Sequence, residues 1–335
     1  MACTGDFIEL ISAPETTYGT EGTWDKIVRL KSADWEPRFD QVTDADQFNG
    51  VTGTTQVLEA DIRKSGKLTL KGFYNADHSY LIHRFMGDDT TSTLETGVYQ
   101  HIQDSVTLTE CDFDIDSSLS FQKNESASVP ALLGCKCSAI EVSGNAANND
   151  IDVTYEFFGQ TPKNTDTTFD KGAITYPTVK DFHWKDLTVS FGDNLFDSKV
   201  TAFKVRLSND MVPEWASTGT ATPVELDPKN FMVTGELKLW YESNYVKALQ
   251  EAGTTFDVVF TFENDSVLLG ATKYAKSIIN VYKARITEPP KTDLAAGTRS
   301  LITLQFEGLA DSSNGNKIAT ITNQDTTATF TDHTV

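Results

Sequence analysis

Cysteine is scarce: Cys3, Cys111, Cys135 and Cys137 are the only four in a chain of 335 residues. So thin a supply excludes a disulfide-built scaffold. Cys135 and Cys137 alternate along a predicted strand and are expected to be buried, reduced thiols. No CxxC or HxxxH spacing adds the two further ligands that a zinc site needs. The five histidines (His78, His83, His101, His183 and His333) are scattered, and surface or strand-edge positions are expected for them. Positive charge is short as well, with 28 Lys and Arg against 48 Asp and Glu and a net charge of −20. With no cationic stripe to release counterions from phosphate, sequence-reading DNA binding and polybasic membrane docking are excluded. Long hydrophobic runs are missing too. The most apolar stretch, VPALLGCKCSAIEV, is broken by Lys136, and nothing approaches the roughly 20 apolar residues of a membrane helix. The opening MACTGDFIEL lacks the basic start and apolar stretch of a signal peptide, so a soluble protein made in the cytoplasm is expected.

Catalytic signatures are equally absent. There is no GxSxG elbow, no phosphate-cradling GxxxxGK, no GxGxxG and no HExxH. The segment DFDIDSSLSFQK opens like a calcium loop at Asp112, Asp114 and Asp116. It then puts Ser117 and Lys123 where such a loop needs Gly and Glu. Alternation gives the simpler account: Phe113 and Ile115 face a core while the three Asp line a wet face, where they could supply acidity to a channel wall. Nothing selects a carboxylate pair for glycoside hydrolysis. No enzyme activity, cofactor or metal is expected.

What the chain does contain is β-strand. LSFQ, AIEV, DVTYEF, LTVSF, FDVVFTF, YKARIT and LITLQFEG are short, alternating and bounded by turn formers. Helices are few. Asn75 can cap one whose apolar stripe is Leu81, Ile82, Phe85 and Met86, with Gly87 at its end. Ser243 can cap another, with Tyr245, Val246, Leu249 and Ala252 on its face and Gly253 closing it. In both places a strand leads into the helix, GKLTL from Gly66 and GELKLWY from Gly235.

The pairing goes further. WDKIVRL resembles WKDLTVSF, GTTQVLEADIRKSGKLTL resembles GTATPVELDPKNFMVTGELKL, AIEVSGN resembles ARITEPP, and VTYEFFG resembles ITLQFEG, all in the same order. An internal duplication is therefore expected, with a first domain over 1–160, a turn-rich linker over 161–181, a second domain over 182–322 and a polar tail over 323–335. The segments SADWEPRFDQVTDADQFNGVTG and SNDMVPEWASTGTATP lack a core pattern and sit in equivalent places, which suggests loops or hairpins that touch neighbours.

The stretch PETTYGTEGTWDKIVRLKSADWEP resembles the start of tail tube proteins of long-tailed bacterial and archaeal viruses, in which an ETTYGT arm leads into a first strand. GKLTLKGFYNADHSYLIHRFMG and CKCSAIEVSGNAANNDIDVTYEFFGQTP are similar to later parts of that family, so the resemblance covers about residues 8 to 162. It implies a mainly β fold: two tandem β-sandwich or split-barrel domains, each with one short flanking helix. It also implies a structural virion protein that assembles with itself into stacked rings, forming the hollow tail through which double-stranded DNA passes. Two domains per chain imply a homotrimeric, pseudo-six-fold ring, with a homohexamer as the alternative. Tape-measure, tail-terminator and baseplate or tip proteins are the implied partners, with no membrane. Contacts between rings or subunits would come from Thr16, Thr17, Tyr18 and Gly19 of the arm, from Asp40, Asp44, Asp46 and Phe48, and from Trp215. Asp112, Asp114 and Asp116 would face the lumen. The competing reading is a tandem β-sandwich binding module, an adhesin or carbohydrate binder that forms no tube.

Overall fold

The computed structural model describes residues 9–43, 57–105, 118–124, 129–166, 181–191, 200–214, 230–240, 253–293 and 300–328. Short pieces at 168–169, 172, 174, 223, 225–227 and 250–251 complete it.

Twenty strands dominate the described chain. The longest sheet runs, antiparallel throughout, from β3 (Ser32–Thr43) to β4 (Val57–Phe73), β9 (Ile151–Gly159) and β8 (Val129–Asn145). It continues through β12 (Val200–Ser208), β15 (Met232–Trp240) and β19 (Leu301–Glu307). Its far edge is formed by the end of β17 (Tyr274–Ile286) followed by β18 (Lys291–Asp293).

Two flanking sheets cover the apolar side. The first contains β2 (Lys26–Val28), β1 (Leu10–Pro14), β7 (Leu119–Lys123), the start of β8, and β10 (Thr161–Asp166). The second contains β11 (Leu187–Phe191), β16 (Phe256–Leu268), β17, β20 (Ala319–Asp325), β6 (Val98–Ser105) and β5 (Gly87–Glu95). A small hairpin pairs β13 (Val212–Glu214) with β14 (Glu225–Asp227).

Alternation explains most of this. In β9, Ile151, Val153, Tyr155 and Phe157 are buried while Asp152 is exposed and Thr154 and Glu156 are half-buried, the period of two that a one-sided strand requires. The long apolar run in β8 has another cause. Its first part joins a flanking sheet and its second part the long sheet, so residues 129–140 are buried without alternation. Cys135 and Cys137 lie in that part as buried free thiols, and burial pushes both pKa values well above the ordinary range.

Asn75 accepts a hydrogen bond from the Asp77 N–H at 2.8 Å, capping a single 3-10 turn that leads into α1 (Ser79–Met86). Leu81, Ile82, Phe85 and Met86 are buried, and Gly87 ends the helix at φ +85°, a conformation that suits glycine. The second expected helix falls largely on 241–249, outside the described residues; Gln250 and Glu251 are helical and Gly253 has φ +61°.

The segment after Ser32, expected as a loop or a hairpin, is a hairpin: β3 pairs antiparallel with an extended β4. Two expectations need correction. Residues 161–166 of the expected linker are strand β10, in register with β8 from Thr161↔Leu133, and Asp181 at the linker's end is buried. Finally, His78, His83 and His101 are buried, not superficial.

The halves also share one hydrophobic core that runs from Leu10 to Ile321. Tyr74 of the first half meets Phe262 of the second with ring centroids 5.0 Å apart, and Phe85 of the first meets Phe231 of the second at 5.8 Å.

Candidate assembly surface and channel face

One side of the long sheet packs on the core and the other is open. Register fixes which residues share the open side, since directly paired residues point the same way. One lateral row crosses every strand: Ser32, Lys71, Thr154, Glu141, Arg206, Thr234, Glu307 and Arg285. The next row holds Phe73, Asp152, Ser143, Lys204, Glu236 and Gln305.

Carboxylates and cations interleave on this face and pair across strands. Arg206 on β12 donates to both oxygens of Glu156 on β9, at 2.9 and 3.1 Å, reaching over β8. It also lies 3.7 Å from Glu141. Lys204 sits 2.8 Å from Glu141, Lys67 3.7 Å from Glu156 and Lys31 2.5 Å from Asp152, while Arg285 pairs with Glu307. The hydrogen bond from Arg206 holds the Glu156 carboxyl below its usual range against the opposing effect of burial, and Arg206 is raised in turn.

Among the side chains described on this face are the carboxylates Asp34, Glu36, Glu141, Asp152, Glu156, Glu236 and Glu307 and the cations Lys67, Lys71, Lys136, Lys204, Arg206, Lys238 and Arg285. The acidity of the chain is therefore not concentrated here. Asp112, Asp114 and Asp116 lie outside the described residues, as do Asp44, Asp46, Phe48 and Trp215. Asp40 is within β3, in register with Arg63.

The long sheet ends in two edges. β3 pairs only with β4, and β18 only with β19, among the described residues. Asp34 and Glu36 stand exposed on β3. Arg285 and Lys291 are exposed at the opposite edge, with side chains 54% and 71% accessible.

The ETTYGT arm folds back and is pinned by Glu15, a residue the sequence reading passed over. Its buried carboxylate accepts four hydrogen bonds: from Gly19 N at 2.8 Å, Ser118 Oγ at 2.6 Å, Ser120 Oγ at 2.6 Å and Gly134 N at 2.7 Å. Thr16 and Thr17 are left exposed at the bend; Tyr18 and Gly19 are half-buried, with Lys136 Nζ 5.1 Å from the Tyr18 ring centre. Glu in a Pro-Glu-Thr-Thr run reads as a surface turn residue. Only the fold supplies three of its four donors, which come from residues more than a hundred positions away.

The two halves are stitched together behind the face. The Tyr74 hydroxyl meets Ser277 Oγ at 2.6 Å, Ser277 donates to Asn323 at 2.6 Å, and Asn323 donates in turn to Gln103 Oε1 at 3.4 Å. His101 on β6 lies between two carboxylates. Its Nδ1 is 2.9 Å from Asp89 on β5, and its Nε2 is 3.3 Å from Asp325 on β20 and 2.9 Å from the Thr327 carbonyl. Burial alone would lower its pKa, but hydrogen bonds to Asp325 and Asp89 lift it to about 10, so the imidazolium persists at neutral pH.

No group of three or more His, Cys, Asp or Glu among the described residues is arranged to hold a metal ion. A cavity of about 200 Å³ beside β2 is lined by Asp25, Lys26, Arg29, His78 and Tyr80, with a mixture of charges and no nucleophile–base pair. No helix among the described residues is long and apolar enough to cross a membrane.

The surfaces on offer are thus a broad, ion-paired sheet face and two open strand edges. No curated protein matches this sequence. A family model described as phage tail tube protein matches residues 9–331. The match spans both halves, and the chain belongs to the phage tail tube protein family, a structural and non-enzymatic component of the virion tail.

Proposed function

We propose that this chain is a double tube subunit: three copies close a pseudo-six-fold ring, and rings stack into the tube through which viral DNA is delivered. The observation that carries the reading is a strand order that occurs twice. In the long sheet the first half runs β3–β4–β9–β8 and the second β12–β15–β19–β17. In the flanking sheets the orders are β1–β7–β8–β10 and β11–β16–β17–β20. In each half one long strand, β8 or β17, belongs to both sheets. Seven strands recur in matching chain order and matching neighbours, which favours a duplicated domain.

The stagger between the halves favours closure. Five residues after Gly66 comes Lys71; five after Gly235 comes Trp240, six residues past the Thr234 that shares the row of Lys71. Five before Gly159 comes Thr154; five before Gly308 comes Thr303, four residues short of the Glu307 in that row. Because β15 and β19 are antiparallel, both displacements point the same way. Each domain of four strands is thus stepped by four to six residues along the strand direction relative to its neighbour. With strands about 4.8 Å apart and about 3.3 Å per residue, that step tilts the strands by about 35 to 46°, close to the roughly 35–45° of closed barrels. Three chains of eight strands would make a barrel whose interior is the open face.

That face suits passage of a polyanion. Its cations are occupied by neighbouring carboxylates, which leaves little unpaired positive charge to trade for the counterions of DNA. Tape-measure, terminator and baseplate or tip proteins would meet the two ends of such a tube. Electron microscopy of the purified protein at low and high salt tests the reading. Hollow rings or tubes are expected, more abundant at high salt because screening relieves the repulsion between chains of charge −20. Mass measurement of isolated rings should count three chains. Six would refute the trimer, and dispersed particles under every condition would refute the tube.

A further inference from the structure

The cavity beside β2 plays no part in a tube. Its volume is about 200 Å³, and it lies between β2 and the capped turn that leads into α1. Asp25, Lys26 and Arg29 line it on one side, and Asp77, His78 and Tyr80 on the other. Three of these side chains carry a buried polar atom that makes no hydrogen bond to any protein group: Arg29 Nη1, His78 Nδ1 and the Tyr80 hydroxyl. Arg29 Nη1 lies 3.5 Å from Asp181, an ion pair without a hydrogen bond, and the Tyr80 hydroxyl lies close to Ser12 without bonding to it. Buried polar groups are nearly always satisfied, so three such atoms around one cavity call for a partner.

All three can donate. For Arg29 and Tyr80 this is the chemistry of the group. For His78 it follows from its neighbours. Asn75 Oδ1 accepts the Asp77 N–H at 2.8 Å, which fixes the amide, so Asn75 Nδ2 is the donor to His78 Nε2 at 3.3 Å. Burial and the nearby Arg29 charge lower the His78 pKa to about 4, so the ring is neutral at pH 7 and its one proton sits on Nδ1.

Asp25 and Asp77 add acceptors on the same walls, and the charges of Lys26 and Arg29 cancel theirs. A carboxylate or phosphate would be repelled by the two Asp, and an ammonium by Lys26 and Arg29. Hydroxyl groups accept, donate and carry no charge, so they suit both sets. Volume narrows the choice. One water fills roughly 30 Å³, too little to serve both walls, while pockets for drug-sized ligands begin near about 300 Å³.

We infer that this cavity binds a neutral, hydroxyl-rich molecule the size of a single sugar ring. Its oxygens accept from Arg29, His78 and Tyr80, and its O–H groups donate to Asp25 and Asp77. Nothing in this binding requires ring assembly.

The test is saturation-transfer NMR and calorimetry on the full chain with D-glucose, D-galactose and N-acetyl-D-glucosamine, beside acetate, inorganic phosphate and putrescine. Saturable binding of at least one sugar is expected, one molecule per chain, with no binding of the three ions. Tyr80→Phe deletes an oxygen that bonds to no protein group, so this variant should melt no lower than the parent. It should nonetheless bind the sugar about fivefold more weakly, the loss of one neutral hydrogen bond. Saturating sugar should raise the melting temperature of the parent more than that of the variant. No sugar bound, or an ion bound in preference to every sugar, would overturn the site. Sugar binding untouched by both Tyr80→Phe and Asp25→Asn would place the ligand elsewhere and overturn it as well.

Discussion

The two halves follow one strand plan yet finish their flanking sheets by different means. In the first half the N-terminal arm turns back and is locked by Glu15, a carboxylate that takes four neutral donors from β7, β8 and its own turn. In the second half the sheet is extended by β6 and β5, which belong to the first half, and the join is locked by a charged His101 between Asp89 and Asp325. One half therefore completes itself, while the other is completed by its neighbour. The two halves thus share one sheet and one core, and cutting the chain between them would open a sheet as well as a linker.

The sharpest way to break this comparison is His101→Ala. It removes the cation and leaves two buried carboxylates facing each other, a loss on the order of 3–5 kcal/mol. Thermal unfolding should report it, and hydrogen exchange should show β6 and β20 opening before β1 and β7. Equal loosening of both flanking sheets would contradict the division of roles. The same site gives a pH signature. Because the folded pKa is raised from the ordinary 6.5 to about 10, its stabilisation is fully present below pH 6.5 and is lost as pH rises through about 10. A His101→Gln chain should lack this component of the alkaline decline, and identical profiles for the two proteins would show that the imidazolium does not tie the halves.

Glu15→Gln probes the other lock and should cost less. The amide keeps one acceptor but presents its –NH₂ to donors that had faced an oxygen, leaving some buried groups unsatisfied at about 1–3 kcal/mol. The arm should become the preferred site of limited proteolysis around Thr16 and Thr17, with the second half unaffected. Unchanged protease resistance would mean that something other than Glu15 pins the turn.

A smaller contrast concerns Gly66 within β4 and Gly235 within β15. At Gly66 a methyl group would sit 2.7 Å from the tip of Leu132, whereas at Gly235 it would overlap the Phe306 ring. A leucine can change rotamer and a buried ring cannot. Gly235→Ala should therefore fall in the roughly 1–3 kcal/mol range of overpacked cores, with Gly66→Ala below it. Comparable melting temperatures for the two variants would show that the inner sheets of the halves are equally tolerant.

Much of this plan was legible in the sequence where the information is local. Alternation in β9, β16 and β19, the Asn75 cap and the Gly87 stop all depend on residues within one turn or one strand. What escaped depends on distant partners. TPKNTD has no strand pattern, and it is β10 only because β8 offers it an edge. His78, His83 and His101 look like polar surface residues until the fold encloses them.

Two of the internal matches also fail, one in its register and one in its strand. AIEVSGN laid on ARITEPP sets the open-face Glu141 on the buried Ile286, an impossible exchange of faces. WDKIVRL pairs β2 with β11, although β11 lies beside β16 as β1 lies beside β7. Short strands resemble one another too readily for residue-level alignment, whereas strand order, invisible in the sequence, is specific.

The smallest expected effect on stability is the most informative about the open face. Glu141→Gln with Glu156→Gln removes the carboxylates that hold Arg206 and Lys204, and that Lys67 approaches. These pairs are partly exposed, so the change should cost about 1 kcal/mol or less. Subunits should fold and assemble as before. If the open face lines the tube as proposed, its wall would gain two units of positive charge per chain and three released cations. Repeated around a ring, these would form the phosphate-binding stripe that the native face lacks. DNA should then be retained by the assembled tubes, and retention should fall steeply as salt is raised, because each phosphate contact releases counterions. Tubes that ignore DNA before and after the substitution would mean that the face carrying Arg206 is not the one DNA passes, and the barrel would have to be turned inside out.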